Sequence, residues 1–374
     1  MTNRSQIWLV TAACLSLLHA LIANAAPATP ARAAAAKSAC HEQPLRSHGN
    51  GTLVTLRAPQ PTDTWGNLGR QFEHVVVIVL ENQDYATVMR QPAMRKLVRQ
   101  GTLFTHFAAN FHPSYSNYLA LIGGRYFGAR GDTDIGIPAR EKTIADLLQA
   151  KGLTWKQYAE AFPGDCSTVA FSGREPYSSD PLYARKHVPF MSFKSVTGNP
   201  QRCSNVVNAN AFDPRHLPNY AFYSPDMCHD GHDVCASDAA SAIKDAGTRL
   251  DLAGDTVAEK LIGHSDAEAD KKGIDRRRLD QAVAWLVPLL KRIQADRKAM
   301  KGTLIIVTFD ESATLSNNHI FTLFLGPMVK KGYRENGCYD DYNVLRTIED
   351  NFGIGTLGAE DEKSAPIVHV WKGH

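Results

Sequence analysis

The chain has 374 residues, 44% of them hydrophobic and 21% charged, enough for a large buried core and unlike a disordered chain, a collagen or a coiled coil. Its 41 Lys and Arg against 38 Asp and Glu leave a net charge of +3. No basic stripe interleaved with aromatics accompanies that balance, so a nucleic-acid partner is disfavoured.

In chain order, Arg4 precedes an apolar run from Ile7 to Ile22, and Ala23-Asn24-Ala25 follows with a small-x-small pattern. The run is interrupted by Ser16 and His19 and is shorter than the ~20 residues of a spanning helix. Residues 1–25 therefore read as a cleaved signal peptide, with an uncleaved anchor or a lipidated Cys14 as alternatives. Residues 26–40 read as an Ala/Pro-rich linker and residues 41–374 as one catalytic domain. No amphipathic basic helix marks a permanent membrane anchor, so the expected location is periplasmic or extracellular. In such an oxidising compartment the cysteines beyond Cys14 are expected to pair. The expected pairs are Cys228 with Cys235, Cys166 with Cys203 and Cys40 with Cys338; only the first rests on local spacing. A zinc cluster is the rival, without a paired C-x-x-C to support it.

The run His74 to Leu80 is continuous and β-branched, as in a strand buried on both faces of a parallel sheet, and it ends in Glu81-Asn82. Helical spacing at Thr143 to Ala150 ends at Gly152, and strands are expected at Thr154 to Tyr158 and Tyr220 to Tyr223. The polar segment Ser237 to Arg278 reads as a surface insertion. From Arg276 to Met300, Leu279, Ala282, Val283, Leu286, Leu290 and Ile293 recur at helical spacing, with Pro288 expected to kink or break the helix and Gly302 to close it. Thr303 to Phe309 is a second buried strand, ending in Asp310-Glu311. A third follows at Phe321 to Leu325, then an amphipathic helix at Asn343 to Phe352. The fold class is α/β, a mainly parallel central sheet with helices on both faces. Ligands in such folds collect beyond the carboxyl ends of strands, where Glu81, Asn82, Asp310 and Glu311 fall.

Two pairs of oxygen ligands at strand ends suit a hard divalent cation, Mg²⁺, Ca²⁺ or Mn²⁺, with Zn²⁺ tolerated; acidic strand ends are also common simply because they reach solvent. A third element, Phe111-His112-Pro113-Ser114-Tyr115-Ser116-Asn117-Tyr118, joins them. Together with Tyr183 to Phe190, Ser224 to Asp233, Asp310-Glu311-Ser312 and Asn318-His319, these blocks occur in one order over about residues 73 to 352. The chain in this respect resembles the phosphoesterase family that unites bacterial phospholipases C with secreted acid phosphatases, a branch of the alkaline-phosphatase superfamily. Its compact size and the Lys186-His187-Val188-Pro189-Phe190 block look more like the acid phosphatases, phosphatidylinositol 3-phosphatases among them.

The resemblance implies an alkaline-phosphatase-like fold, Ser114 as nucleophile with Ser116 as competitor, and a divalent cation held by Glu81, Asn82, Ser114, Asp310 and Glu311. It further implies Lys186, His187 and Asn82 facing the phosphoryl oxygens, and Asp230, His232 and His319 supporting the leaving group, the attacking water or a second metal. Asn117 and Tyr115 are expected on the substrate side, Tyr115 beside the reacting phosphate. His112 and His229 also carry the ordinary reading of structural histidines, as Phe127, Phe162 and Tyr183 carry that of core aromatics. Two positions depart from the family pattern: Tyr115-Ser116 stands where Glu-Pro is more familiar, and Val188 where Asn is usual. The Cys/Ser-x-Pro-x-Arg stretch of sulfatases is not present around Ser114. The expected activity is an exported, metal-dependent phosphomonoesterase acting on a small phosphate ester or phospholipid head group through a phosphoserine. A phospholipase C and a non-catalytic exported binding protein are the alternatives.

Overall fold

Five consecutive β-branched residues, Val75 to Val79, are all buried, so the strand that carries them must be covered on both faces and flanked on both edges. It is: β3 (His74–Leu80) pairs in parallel with β11 (Thr303–Phe309) on one side and β10 (Tyr220–Ser224) on the other. The computed structural model describes Cys40 and residues 46–48, 53–55, 61–175, 180–235, 265–313 and 318–373. The expected signal peptide, the linker up to residue 39 and residues 236–264 of the expected insertion lie outside the described residues.

Outward from β10 follow β6 (Trp155–Ala159) and β9 (Val206–Asn208), both parallel to it. Outward from β11 come β12 (His319–Leu325), antiparallel, then β4 (Thr102–Ala108) and β13 (Tyr333–Asp340), which run parallel to each other and against β12. The order is β13-β4-β12-β11-β3-β10-β6-β9. Only β12 is reversed, so the carboxyl ends of its neighbours share one edge with the amino end of β12. A three-stranded sheet of β1 (Arg46–His48), β2 (Leu53–Thr55) and β5 (Phe111–His112) stands apart, as does the hairpin β7 (Phe171–Ser172) with β8 (Tyr183–Ala184).

After β3 come α1 (Tyr85–Arg90) and α2 (Pro92–Val98). Then α3 (Tyr115–Gly123), buried at every residue, follows Ser114. Thr143 and Asp146 form a reciprocal capping box that opens α4 (Ile144–Ala150). The expected break at Pro288 is corrected: α5 runs from Ser265 to Ala295 through it, taking in Ser265 to Arg278 of the expected insertion. Apolar burial of Leu279, Ala282, Val283, Leu286 and Leu290 holds the helix together on both sides of the proline. The interruption comes at Asp296, whose carboxylate caps the short α6 (Arg297–Met300). The last helix, α7 (Asp341–Phe352), ends at Gly353 in the left-handed region. Cys40 to His374 forms one compact unit, and among the described residues no helix is long and apolar enough to cross a membrane. All three expected disulfides are formed, Cys40–Cys338, Cys166–Cys203 and Cys228–Cys235.

Candidate active site

The common edge of the sheet delivers the site. Glu81 follows β3 directly and is fully buried, with its N–H donated to the Asp230 carbonyl at 2.8 Å. Asn82 takes a left-handed backbone with φ 26°, a strain that Asn tolerates better than most residues. Its N–H donates to Asp310 Oδ1 at 2.9 Å and its amide to Glu311 Oε1 at 2.9 Å. The parallel pairing of Leu80 with Phe309 is what sets Glu81-Asn82 beside Asp310-Glu311.

Ser114 sits at the start of α3, buried, after a cis His112–Pro113 bond. Its Oγ lies 3.0 Å from Glu311 Oε1, 3.2 Å from Glu81 Oε2 and 3.3 Å from Asn82 Oδ1. One hydroxyl has one proton, so it cannot satisfy three acceptors together. Asp310 Oδ2 is also buried without a hydrogen-bond partner. Burial, then the Glu81 and Glu311 charges, push the Asp310 carboxyl well above its ordinary value; burial likewise raises Glu311 despite His112 beside it. Burial would raise Glu81 too, but Lys186, His187 and His232 outweigh it and hold that carboxyl well below its ordinary value. Clustered hard oxygens with surplus negative charge are the donor set of a divalent cation, and Glu81, Asn82, Ser114, Asp310 and Glu311 fit one.

Basic groups border this cluster. His187 Nε2 approaches Glu81 Oε1 to 2.7 Å and His112 Nδ1 approaches Glu311 Oε2 to 2.7 Å. The His187 carbonyl is fixed by Ser224 Oγ at 2.6 Å and Gln157 Nε2 at 3.2 Å, and its ring stacks on Tyr118 at 5.1 Å. Lys186 Nζ lies 4.0 Å from Glu81 Oε2 and 3.1 Å from Asp132 Oδ2. Burial lowers its pKa, but Glu81, Asp132 and Asp310 outweigh that and keep it charged. Asp230 is buried, 4.0 Å from His187 Nδ1, and its Oδ1 accepts the His232 N–H at 2.8 Å. Contact with Asp233 raises His232 to about 9 against its partial burial. His319 opens β12 opposite Ala108, its ring stacked on Tyr85 at 4.2 Å.

Three expectations are corrected. Asn117 does not face a substrate: its side chain accepts from the Phe111 N–H at 2.8 Å and donates to the Phe111 carbonyl at 2.9 Å, clamping the turn before Ser114. The Tyr115 side chain does not face the Ser114 hydroxyl, because the first position of α3 turns it into the core, where its own hydroxyl meets Ser192. Ser116, fully buried, donates to the Ala129 carbonyl at 3.3 Å and is no competitor to Ser114. His229 keeps its ordinary structural reading: it lies in a charge group 2.7 Å from Glu160 and 3.0 Å from Asp226, where burial is outweighed and its pKa rises to about 10. Phe162 and Tyr183 are core residues packed on each other at 5.6 Å, and Phe127 lies half-buried against Phe193. Sequence reading missed Asp132 and Gln157, which stand outside the blocks quoted above, and gave no role to Tyr118 and Ser224, which stand inside them; the available signal was that Tyr118 follows Ser114 by a helical turn.

A model of the Phosphoesterase family matches residues 88–261 and 274–355. A probable acid phosphatase of Kluyveromyces lactis is 32% identical over 302 residues, 78% of this chain and 61% of that protein. A phosphatidylinositol-3-phosphatase of Mycobacterium tuberculosis is 30% identical over 306 residues, 80% of this chain and 83% of that one. A solved protein of the alkaline phosphatase superfamily from Vibrio parahaemolyticus aligns with a TM-score of 0.47 at 13% identity, over 86% of this chain and 76% of that one. This chain spans between 61 and 64% of the length of the first fungal acid phosphatases it matches. By that matched span and those identities, the chain belongs to the Phosphoesterase family.

Proposed function

We propose that the protein is an exported, metal-dependent phosphomonoesterase that works through a phosphoserine at Ser114. The observation that carries this reading is the Ser114 hydroxyl within 3.3 Å of oxygens from Glu81, Asn82 and Glu311, at the carboxyl edge of the sheet. A divalent cation held there would stabilise negative charge and acidify the serine hydroxyl. The Ser114 oxygen attacks phosphorus, the ester P–O bond breaks, and its proton passes to the carboxylates around it, Glu311 Oε1 being nearest at 3.0 Å. Water then attacks the phosphoserine, its P–O bond to Ser114 breaks, and inorganic phosphate leaves. Lys186 supplies positive charge to the phosphoryl oxygens, while Gln157 and Ser224 hold His187 against Glu81. Protonation of the departing oxygen falls to the histidines at the rim, His232 and His319.

The names of the relatives, acid phosphatases and a phosphatidylinositol-3-phosphatase, support a monoester over a phospholipase C substrate, and a phosphoinositide 3-phosphate is the lipid to try first. Three disulfides accord with an oxidising compartment. In this reading residues 1–25 are the signal peptide, 26–40 a linker and 41–374 the catalytic domain. The test is phosphate release from a small aryl monoester, with the aryl diester in parallel, with and without chelator. Monoester turnover abolished by chelator, and a loss of about a thousandfold or more in Ser114→Ala, is expected. Ser114→Ala activity within tenfold of the parent would overturn the assignment.

A further inference from the structure

Asp132 lies in the loop after α3, in Arg130-Gly131-Asp132-Thr133, outside the sequence blocks that carry the family resemblance. Its Oδ1 accepts the Tyr115 N–H at 3.1 Å and its Oδ2 accepts Lys186 Nζ at 3.1 Å. These two donors have something in common. The Tyr115 amide is the first of α3, next in chain to the Ser114 nucleophile. Lys186 Nζ lies 4.0 Å from Glu81 Oε2, an oxygen that is itself 3.2 Å from Ser114 Oγ. An amide at a helix start beside a buried ammonium is the surrounding that a phosphoryl oxygen seeks, and both donors are already turned to one carboxylate.

We propose that Asp132 is a resident competitor for the phosphoryl group: a phosphate ester binds by displacing its carboxylate from the Tyr115 N–H and from Lys186, and release of phosphate restores it. The inference rests on Ser114 being the nucleophile. The surroundings favour exchange over a fixed strut. The Asp132 side chain is 42% exposed, against 14% for Lys186 and 1% for Glu81, so a carboxylate that rotates away moves into water. The next acid, Asp134, is held by Arg185 at 3.1 Å, which anchors the loop and leaves the exchange to the Asp132 side chain. The consequence is a lowered phosphate affinity, since a site that must first shed a bound group binds in proportion to the fraction that is open.

The alternative, that Asp132 merely positions Lys186, makes the opposite prediction, so the sign of one effect decides. The measurement is calorimetric binding of inorganic phosphate to the purified protein, to Asp132→Ala and to Asp132→Asn, with KM for an aryl monoester followed alongside. Competition predicts phosphate bound about three- to tenfold more tightly by Asp132→Ala, with Asp132→Asn between, and KM falling in step. Phosphate bound equally or more weakly by both variants overturns it. Asp132→Asn keeps an acceptor for the Tyr115 N–H, so it reports even where the alanine variant does not fold. The same pair built on Ser114→Ala separates the two claims: activity surviving in Ser114→Ala rejects the nucleophile, whereas the phosphate affinities still report whether Asp132 competes.

Discussion

Ser114 and Asn117 stand on one turn of α3 and belong to one motif, yet the first meets three oxygen ligands and the second meets only the backbone of Phe111. The motif was legible; the division of labour within it was not, because residue type does not say which way a side chain points once a helix begins. Asn117→Ala removes the side-chain acceptor of the Phe111 N–H and one of the two side-chain donors to its carbonyl, the other being Asn318, and is expected to cost about 1 to 3 kcal/mol, read as a fall in thermal midpoint larger than that of Ser114→Ala. Glu349 on α7 makes a second prediction. It is fully buried, and burial followed by the facing Asp361 raises its pKa to about 10. The folded state thus binds a proton that the unfolded chain releases near its ordinary 4.5, so stability is greatest below about 4.5 and is lost as pH rises toward about 10. Glu349→Gln keeps a donor toward Asp361 without that penalty. Its stability advantage should be small at pH 5 and grow by about 4 kcal/mol on going to pH 8, measured as unfolding midpoints at the two pH values; an advantage that does not grow with pH refutes this.

The strands that build the site announced themselves as elements, since β3 and β11 are apolar runs ending abruptly in acids. The apolar run of β12 was legible as well, though not its reversed direction; the outer strand β13, with sequence Tyr-Arg-Glu-Asn-Gly-Cys-Tyr-Asp, was not, because an edge strand half-open to water carries no apolar run. The reversal matters, since it brings Asn318 to the carboxyl edge, where its amide donates to the Ala109 and Phe111 carbonyls at 3.0 and 2.8 Å and braces the approach to Ser114. At the other end of α3, Gly124 adopts φ 69° and a Cβ there would come within 2.5 Å of Asp361 Oδ1. Both the left-handed backbone and the contact oppose any side chain. Gly124→Ala should therefore destabilise by about 2 kcal/mol, with activity per folded molecule retained, as circular-dichroism melting and active-site titration would show.

Across the whole molecule the disulfides act over very different spans. Cys40–Cys338 closes 298 residues and Cys228–Cys235 only 7, so chain entropy assigns about 5 kcal/mol to the first and about 2 to the second. Replacing Cys40 and Cys338 by Ser should lower the thermal midpoint most. Replacing Cys228 and Cys235 should cost less stability but more activity, because that bridge ties down the segment carrying Asp230 and His232. Measuring melting temperature and kcat for both double variants tests the contrast, which fails if the two fall in the same proportion.

The sequence alone was enough for the α/β class, the order of the blocks and the acids at the ends of β3 and β11, because apolar periodicity and abrupt polarity are local properties written residue by residue. Cysteine pairing stood between, with one bridge suggested by proximity and two by expectation. Only the tertiary structure decided that Asn117 and Tyr115 turn inward, that α5 persists through Pro288 because its apolar face is buried on both sides, and that Asp132 reaches both Tyr115 and Lys186. Those facts depend on burial and on contacts between residues far apart in the chain, and no local pattern encodes them.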